Sequence, residues 1–81
     1  MRIHVLAFAH LRELLEQADF DLELPAGATA ADAWNELASR RPALQPARAA
    51  TRFARNGGLV AADEALRDGD ELALLPPVGG G

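Results

Sequence analysis

The chain has 81 residues, a formal net charge of −4, no cysteine, two histidines, and eight basic residues that are all arginine. That length holds one domain with a small core, burying a little over ~60% of the surface its unfolded form exposes, and excludes a deep catalytic cleft. The missing cysteines exclude thiol nucleophiles, disulfides and thiolate metal sites, and the acidic balance with few aromatics excludes a basic nucleic-acid face.

Polar residues interrupt every apolar run, no stretch reaches the ~18 residues of a membrane span, and Met1-Arg2-Ile3-His4 does not open a signal peptide, so no membrane association is expected and the expected compartment is the cytoplasm. Arginine without lysine, beside abundant alanine, reads as codon bias, and it leaves the chain without a side-chain amine to accept an isopeptide bond.

"RIHVLAFA" (Arg2 to Ala9) predicts a strand with both faces apolar: Ile3, Val5 and Ala7 on one, Leu6 and Phe8 on the other. "HLRELLEQA" (His10 to Ala18) predicts a short helix. "DFDLELPAG" predicts a strand with Phe20, Leu22 and Leu24 inward, Asp21 and Glu23 outward, and Pro25 and Gly27 ending it. In "TAADAWNELASRRP" Thr29 and Asp32 form a capping-box pair, and Ala33, Trp34, Leu37 and Ala38 make an apolar stripe at helical spacing. Arg40 and Arg41 suit the C-terminal end of that helix, Pro42 disfavours its continuation, and Trp34 is read as core.

Pro42 to Ala50 is a connection broken by alanine and proline that can hold a helical turn. "TRFARNGGLVA" predicts two strands joined at Asn56-Gly57-Gly58, whose residues tolerate positive φ. Asp68-Gly69-Asp70 predicts a turn, and Glu71 to Leu75 a last strand. The order gives an α+β domain over residues 1–75 with the first and last strands interior. One substantial helix covers one sheet face. The other face then carries an apolar patch of Leu6, Phe8, Ala73 and Leu75, which marks a protein partner, unless Pro42 to Ala50 folds over it.

Residues 76–81, "PPVGGG", predict a tail. Pro76 and Pro77 cannot donate ladder hydrogen bonds, so they end the sheet and aim the chain outward in a stiff extended form. Gly79, Gly80 and Gly81 lack side chains, so they fit a narrow channel and leave the terminal carbonyl open to attack. Ordering three glycines costs ~3 to 6 kcal/mol, which docking of the globular face has to offset.

Other chemistry is poorly supported. His4 and His10 lack a third ligand for a metal, Asp68-Gly69-Asp70 lacks the rest of a calcium loop, and Asp63 and Glu64 read as solvated charges.

"FAHLREL" near the start, "LRDGDELALLPPV" near the end and the final Gly80-Gly81 resemble the small-subunit family of molybdopterin synthase, ubiquitin-like sulfur carriers with the β-grasp fold. The resemblance spans nearly the whole chain. A di-glycine end is shared with thiazole-forming carriers and ubiquitin-like modifiers, and the proline pair is the more specific feature. The resemblance implies a subunit that is non-catalytic alone and binds no cofactor. An ATP-dependent adenylyltransferase activates Gly81, a persulfide donor converts it to a thiocarboxylate, and the charged tail enters the large synthase subunit, in a heterotetramer, to give sulfur to cyclic pyranopterin monophosphate.

By the same resemblance Gly80 and Gly79 give clearance, Pro76 and Pro77 aim the tail, Phe8, Leu59 and Leu75 form the apolar docking face, and Arg12 makes a polar contact beside it. Leu75 stands where an aromatic is common in the family, and Gly79 is an extra glycine. Carriers for thiamin thiazole or cysteine synthesis, and ubiquitin-like modifiers, are the alternatives.

Overall fold

Five strands form one sheet: β1 (Arg2–Ala7), β2 (Asp19–Glu23), β3 (Arg52–Arg55), β4 (Gly58–Val60) and β5 (Glu71–Leu75), in the order β2-β1-β5-β3-β4. The structure is a computed structural model and describes residues 1–77. β1 and β5 are parallel and interior, as expected, and the other neighbours are antiparallel. The arrangement is the mixed sheet of ubiquitin-like β-grasp proteins.

Side-chain alternation assigns the two faces. Ile3, Val5 and Ala7 of β1, Leu22 of β2, Phe53 of β3, and Leu72 and Leu74 of β5 are buried on one face. Against them packs α2 (Ala30–Arg40) through Ala30, Ala33, Trp34, Leu37 and Ala38. Trp34 is the largest fully buried side chain and meets the Phe53 ring edge-on, with centroids 6.3 Å apart. Both halves of the predicted capping box are present: the Asp32 amide donates to Thr29 Oγ1, and the Thr29 amide to the Asp32 carboxylate.

The first helix, α1, is shorter than expected, spanning Ala9–Leu15. Glu16 adopts the left-handed conformation and its amide bonds the Glu13 carbonyl, which ends the helix. α1 buries Leu11 and Leu15 in the same core. Pro42–Ala50 is a run of 3₁₀ turns, since Pro46 inside it cannot join an α-helical ladder. It packs against α1 and α2 and buries Leu44 in the core, so it does not lie over the opposite sheet face. The β3–β4 turn is tighter than predicted: Asn56 and Gly57 take positive φ, and Gly58 already belongs to β4.

Candidate functional site

The face away from the helices is organised by strand register. Leu59 pairs with Ala54, Ala54 with Ala73, Ala73 with Leu6, and Leu6 with Asp19, so four apolar side chains cross β4, β3, β5 and β1 in one row before the charged edge strand. Leu59 is 67% exposed. One step towards the tail, Leu75 faces Arg52. Continuing the β1–β5 register by one residue sets Phe8, 45% exposed, opposite Leu75. Phe8 and Leu59 are the large hydrophobic side chains that the described residues leave exposed.

The chain leaves β1 for α1 through Ala9 at φ 50°, a left-handed conformation that costs a residue bearing a Cβ about 1 kcal/mol. The Phe8 carbonyl accepts from the Leu11 and Arg12 amides, which holds exposed Arg12 one helical turn from the phenyl ring. The structure therefore brings Phe8 and Leu75 together at the root of Pro76 and Pro77. Leu59 lies further across the same face, and Arg12 is exposed on α1, one helical turn after Phe8. The sites expected at Gly79, Gly80 and Gly81 lie outside the described residues.

The opposite corner of this face is charged. His4, isolated in the sequence, sits between two carboxylates of β2: Nδ1 is 2.8 Å from Asp21 and Nε2 contacts Asp19. The hydrogen bond to Asp21 raises the imidazole above its ordinary value; desolvation opposes this and the bond to Asp19 adds to it. Glu71 of β5 is the partner of His4 on its other side, and Arg2 pairs with Glu23 nearby at 2.9 Å. The alternation of β2 puts Asp19 and Asp21 on one face, yet only the β1–β2 register brings them to His4. Among the described residues, no group of three or more histidines, aspartates and glutamates is placed to hold a metal ion.

Glu64 is not a free solvated charge: its carboxylate takes the Arg55 guanidinium at 3.0 Å. The turn before β5 is held by buried Asp70, which accepts from the Arg67 amide and the Asn56 side chain. Burial pushes the Asp70 carboxyl up, but those two hydrogen bonds, with Arg55 and Arg67 nearby, hold it below the ordinary value. Nothing on the row of apolar residues is a nucleophile or an acid–base pair.

Comparison with known proteins agrees with this geometry. The chain is similar to a molybdopterin synthase sulfur carrier subunit of Chlamydomonas reinhardtii, 39% identical over 83 residues that cover all of both chains. Among solved structures it is similar to SAMP1 from Haloferax volcanii (TM-score 0.85, 33% identity, all of both chains). It is also similar to a putative molybdopterin converting factor, subunit 1, from Pyrococcus furiosus (TM-score 0.87, 31% identity, 96% of this chain and 99% of that one). No helix among the described residues is long and apolar enough to cross a membrane. The ThiS family is matched over residues 5–81, and with fold, register and relatives in agreement, this chain belongs to that family.

Proposed function

We propose that the chain is the sulfur-carrier subunit of a molybdopterin synthase. The observation that carries this is the pair of exposed side chains Leu59 and Phe8 at the two ends of an apolar row, with half-buried Leu6, Ala73 and Leu75 and buried Ala54 between them, beside the root of the proline pair. An exposed apolar surface of this kind docks a protein, and here it adjoins the point where the chain departs towards Gly81.

In this reading the Gly81 carboxylate, an anion at neutral pH and a poor electrophile, attacks the α-phosphorus of ATP on an adenylyltransferase and pyrophosphate leaves. The terminal sulfur of a persulfide attacks the acyl carbon and AMP leaves. A thiol then reduces the resulting acyl disulfide, and the thiocarboxylate remains on Gly81. Docked on the large synthase subunit, in a heterotetramer, the tail delivers that sulfur to cyclic pyranopterin monophosphate. Gly79 and Gly80 give clearance, Pro76 and Pro77 set direction, and Phe8, Leu59, Leu75 and Arg12 bind the partner. No cofactor resides on the chain, ATP is consumed by the activating enzyme, and the setting is the cytoplasm.

The test is loading. With the activating enzyme, ATP and a persulfide donor, the protein gains the mass of one oxygen exchanged for sulfur, located on Gly81. One residue added after Gly81 moves the terminus ~3.3 to 3.6 Å past the adenylation position and abolishes the change. Equal loading of the extended protein would overturn the reading. Carriers in thiamin thiazole or cysteine synthesis share this chemistry, and the large subunit that co-purifies separates them. Similarity to SAMP1 favours a second reading, a ubiquitin-like modifier, for which adducts between Gly81 and target lysines are the distinguishing product.

A further inference from the structure

Beside the exposed row lies a cleft of about 170 Å³ whose walls include Arg48, Arg52, Phe53, Leu59 and Val60. No acidic side chain lines it. That is unexpected in a chain with twelve acidic residues. Arg2, Arg40, Arg41 and Arg55 each have a carboxylate partner, whereas among the described residues Arg12, Arg48, Arg52 and Arg67 have none, and of those four only Arg48 and Arg52 line one cleft. Two arginines without a carboxylate partner therefore border one concave surface.

The arginines are held in place. Arg48 lies over the Phe53 ring, its guanidinium carbon 4.9 Å from the centroid, and Phe53 is itself fixed against Trp34. Thr51, between the arginines, donates its hydroxyl to the Ala47 carbonyl and its amide to the Arg48 carbonyl, which sets the turn from the 3₁₀ segment into β3. Arg52 is the register partner of Leu75, the last residue of β5. Leu59 serves both the cleft and the apolar row. A partner that covers Leu59 and Leu75 meets Arg52 beside Leu75 and, through Leu59, reaches the mouth of the cleft that Arg48 also lines. Burial of unpaired cations is prohibitive, so such a partner has to bring an acceptor matched to the guanidinium fork.

We propose that the Arg48–Arg52 cleft receives a carboxylate side chain, an aspartate or glutamate, presented by the large synthase subunit as it covers Leu59 and Leu75. The inference rests on the reading given under Proposed function and adds to it a polar site on the β3–β4 side of the tail root. It makes docking directional. The apolar row alone permits sliding along the face, whereas a carboxylate seated between two arginines fixes the rotation at which Pro76 meets the channel.

The test measures the affinity of the full chain for the large subunit at low and high ionic strength. Arg52→Gln, and Arg48→Gln combined with Arg52→Gln, are expected to raise Kd by roughly 10-fold to 100-fold at low salt, with a much smaller effect at high salt. Arg52→Lys keeps part of the affinity. Arg52→Glu is rescued by reversing one acidic residue of the subunit to arginine, a result that general loss of packing cannot produce. Arg52→Gln alone guards against instability, because Arg52 is exposed while Arg48 supports Phe53. If the arginine variants bind within about two-fold of native at low salt while Leu75→Asp abolishes binding, the cleft proposal is overturned and the carrier reading stands. If the native chain does not bind the subunit at all, both fall.

Discussion

Leu6 and Ala73 face each other across the parallel β1–β5 ladder, on the side of the sheet that no helix covers. The pair joins Ala54 and Leu59 on one flank to Phe8 and Leu75 at the tail end. Phe8→Asp or Leu75→Asp places a charge in the proposed contact and is expected to weaken binding to the large subunit by several kcal/mol. The unfolding midpoint should change little, because both side chains point away from the core. Affinity and thermal unfolding measured together check this, and a large loss of stability with unchanged affinity would mean that the contact lies elsewhere.

Asp70 ties the last turn to the β3–β4 hairpin through Asn56. Asp70→Ala leaves the Arg67 amide and the Asn56 side chain without that acceptor, and is expected to cost about 1 to 3 kcal/mol in urea unfolding. The carboxyl is held below its ordinary 3.8 in the folded state, so its contribution is present above that value and lost as pH falls through the folded pKa. The native protein should therefore weaken more steeply below about pH 4 than Asp70→Ala does. Parallel acid-unfolding curves would contradict the assignment.

His4 behaves with the opposite sign. Both ring nitrogens meet carboxylates, which only accept, so the doubly protonated ring is the form that satisfies Asp19 and Asp21 together. Its folded pKa lies above the ordinary 6.5. The stabilisation is complete below the unfolded pKa and disappears as pH rises through the folded one. Proton NMR titration of the imidazole is expected to show this elevation and to show it shrink in Asp21→Asn, whose amide removes the first hydrogen-bonded charge. An unchanged titration in that variant would place the cause elsewhere.

Thr29 and Asp32 start α2 with reciprocal side-chain to backbone bonds. Thr29→Ala is expected to cost about 1 kcal/mol in denaturant unfolding. The loss should appear without any change in partner affinity, since α2 packs on the far side of the sheet from the docking row.

Where a pattern repeats within a few residues, the sequence already contained the answer. Trp34 and Leu37 at helical spacing became buried, Ile3 and Val5 were buried while Leu6 and Phe8 turned to the other face, and the turn read at Asn56-Gly57-Gly58 formed at Asn56-Gly57, with Gly58 already in β4. What escaped depends on strand register and on turns that no local period announces. His4 meets Asp19 and Asp21 only once β1 and β2 are in register, and a one-residue slip would send those carboxylates to the other face. Arg48 and Arg52 share a cleft because 3₁₀ turns lead directly into β3, and the broken pattern from Pro42 to Ala50 carried no period from which that could be seen. Glu64 looked solvated because it sits in the connection after β4, and only the folded loop brings it to Arg55 on β3.

β5 follows the other four described strands in the chain and yet lies between β1 and β3. His4 and Glu71 become neighbours although almost the whole chain separates them, so the closing step of folding joins distant segments. During synthesis the ribosome must release β5 before Leu72 and Leu74 can fill the core. A chain that stops short of Glu71 leaves the edges of β1 and β3 unpaired and is a substrate for proteolysis. Copies terminated before Glu71 therefore cannot complete the sheet, and translation errors of that kind are filtered by the topology itself.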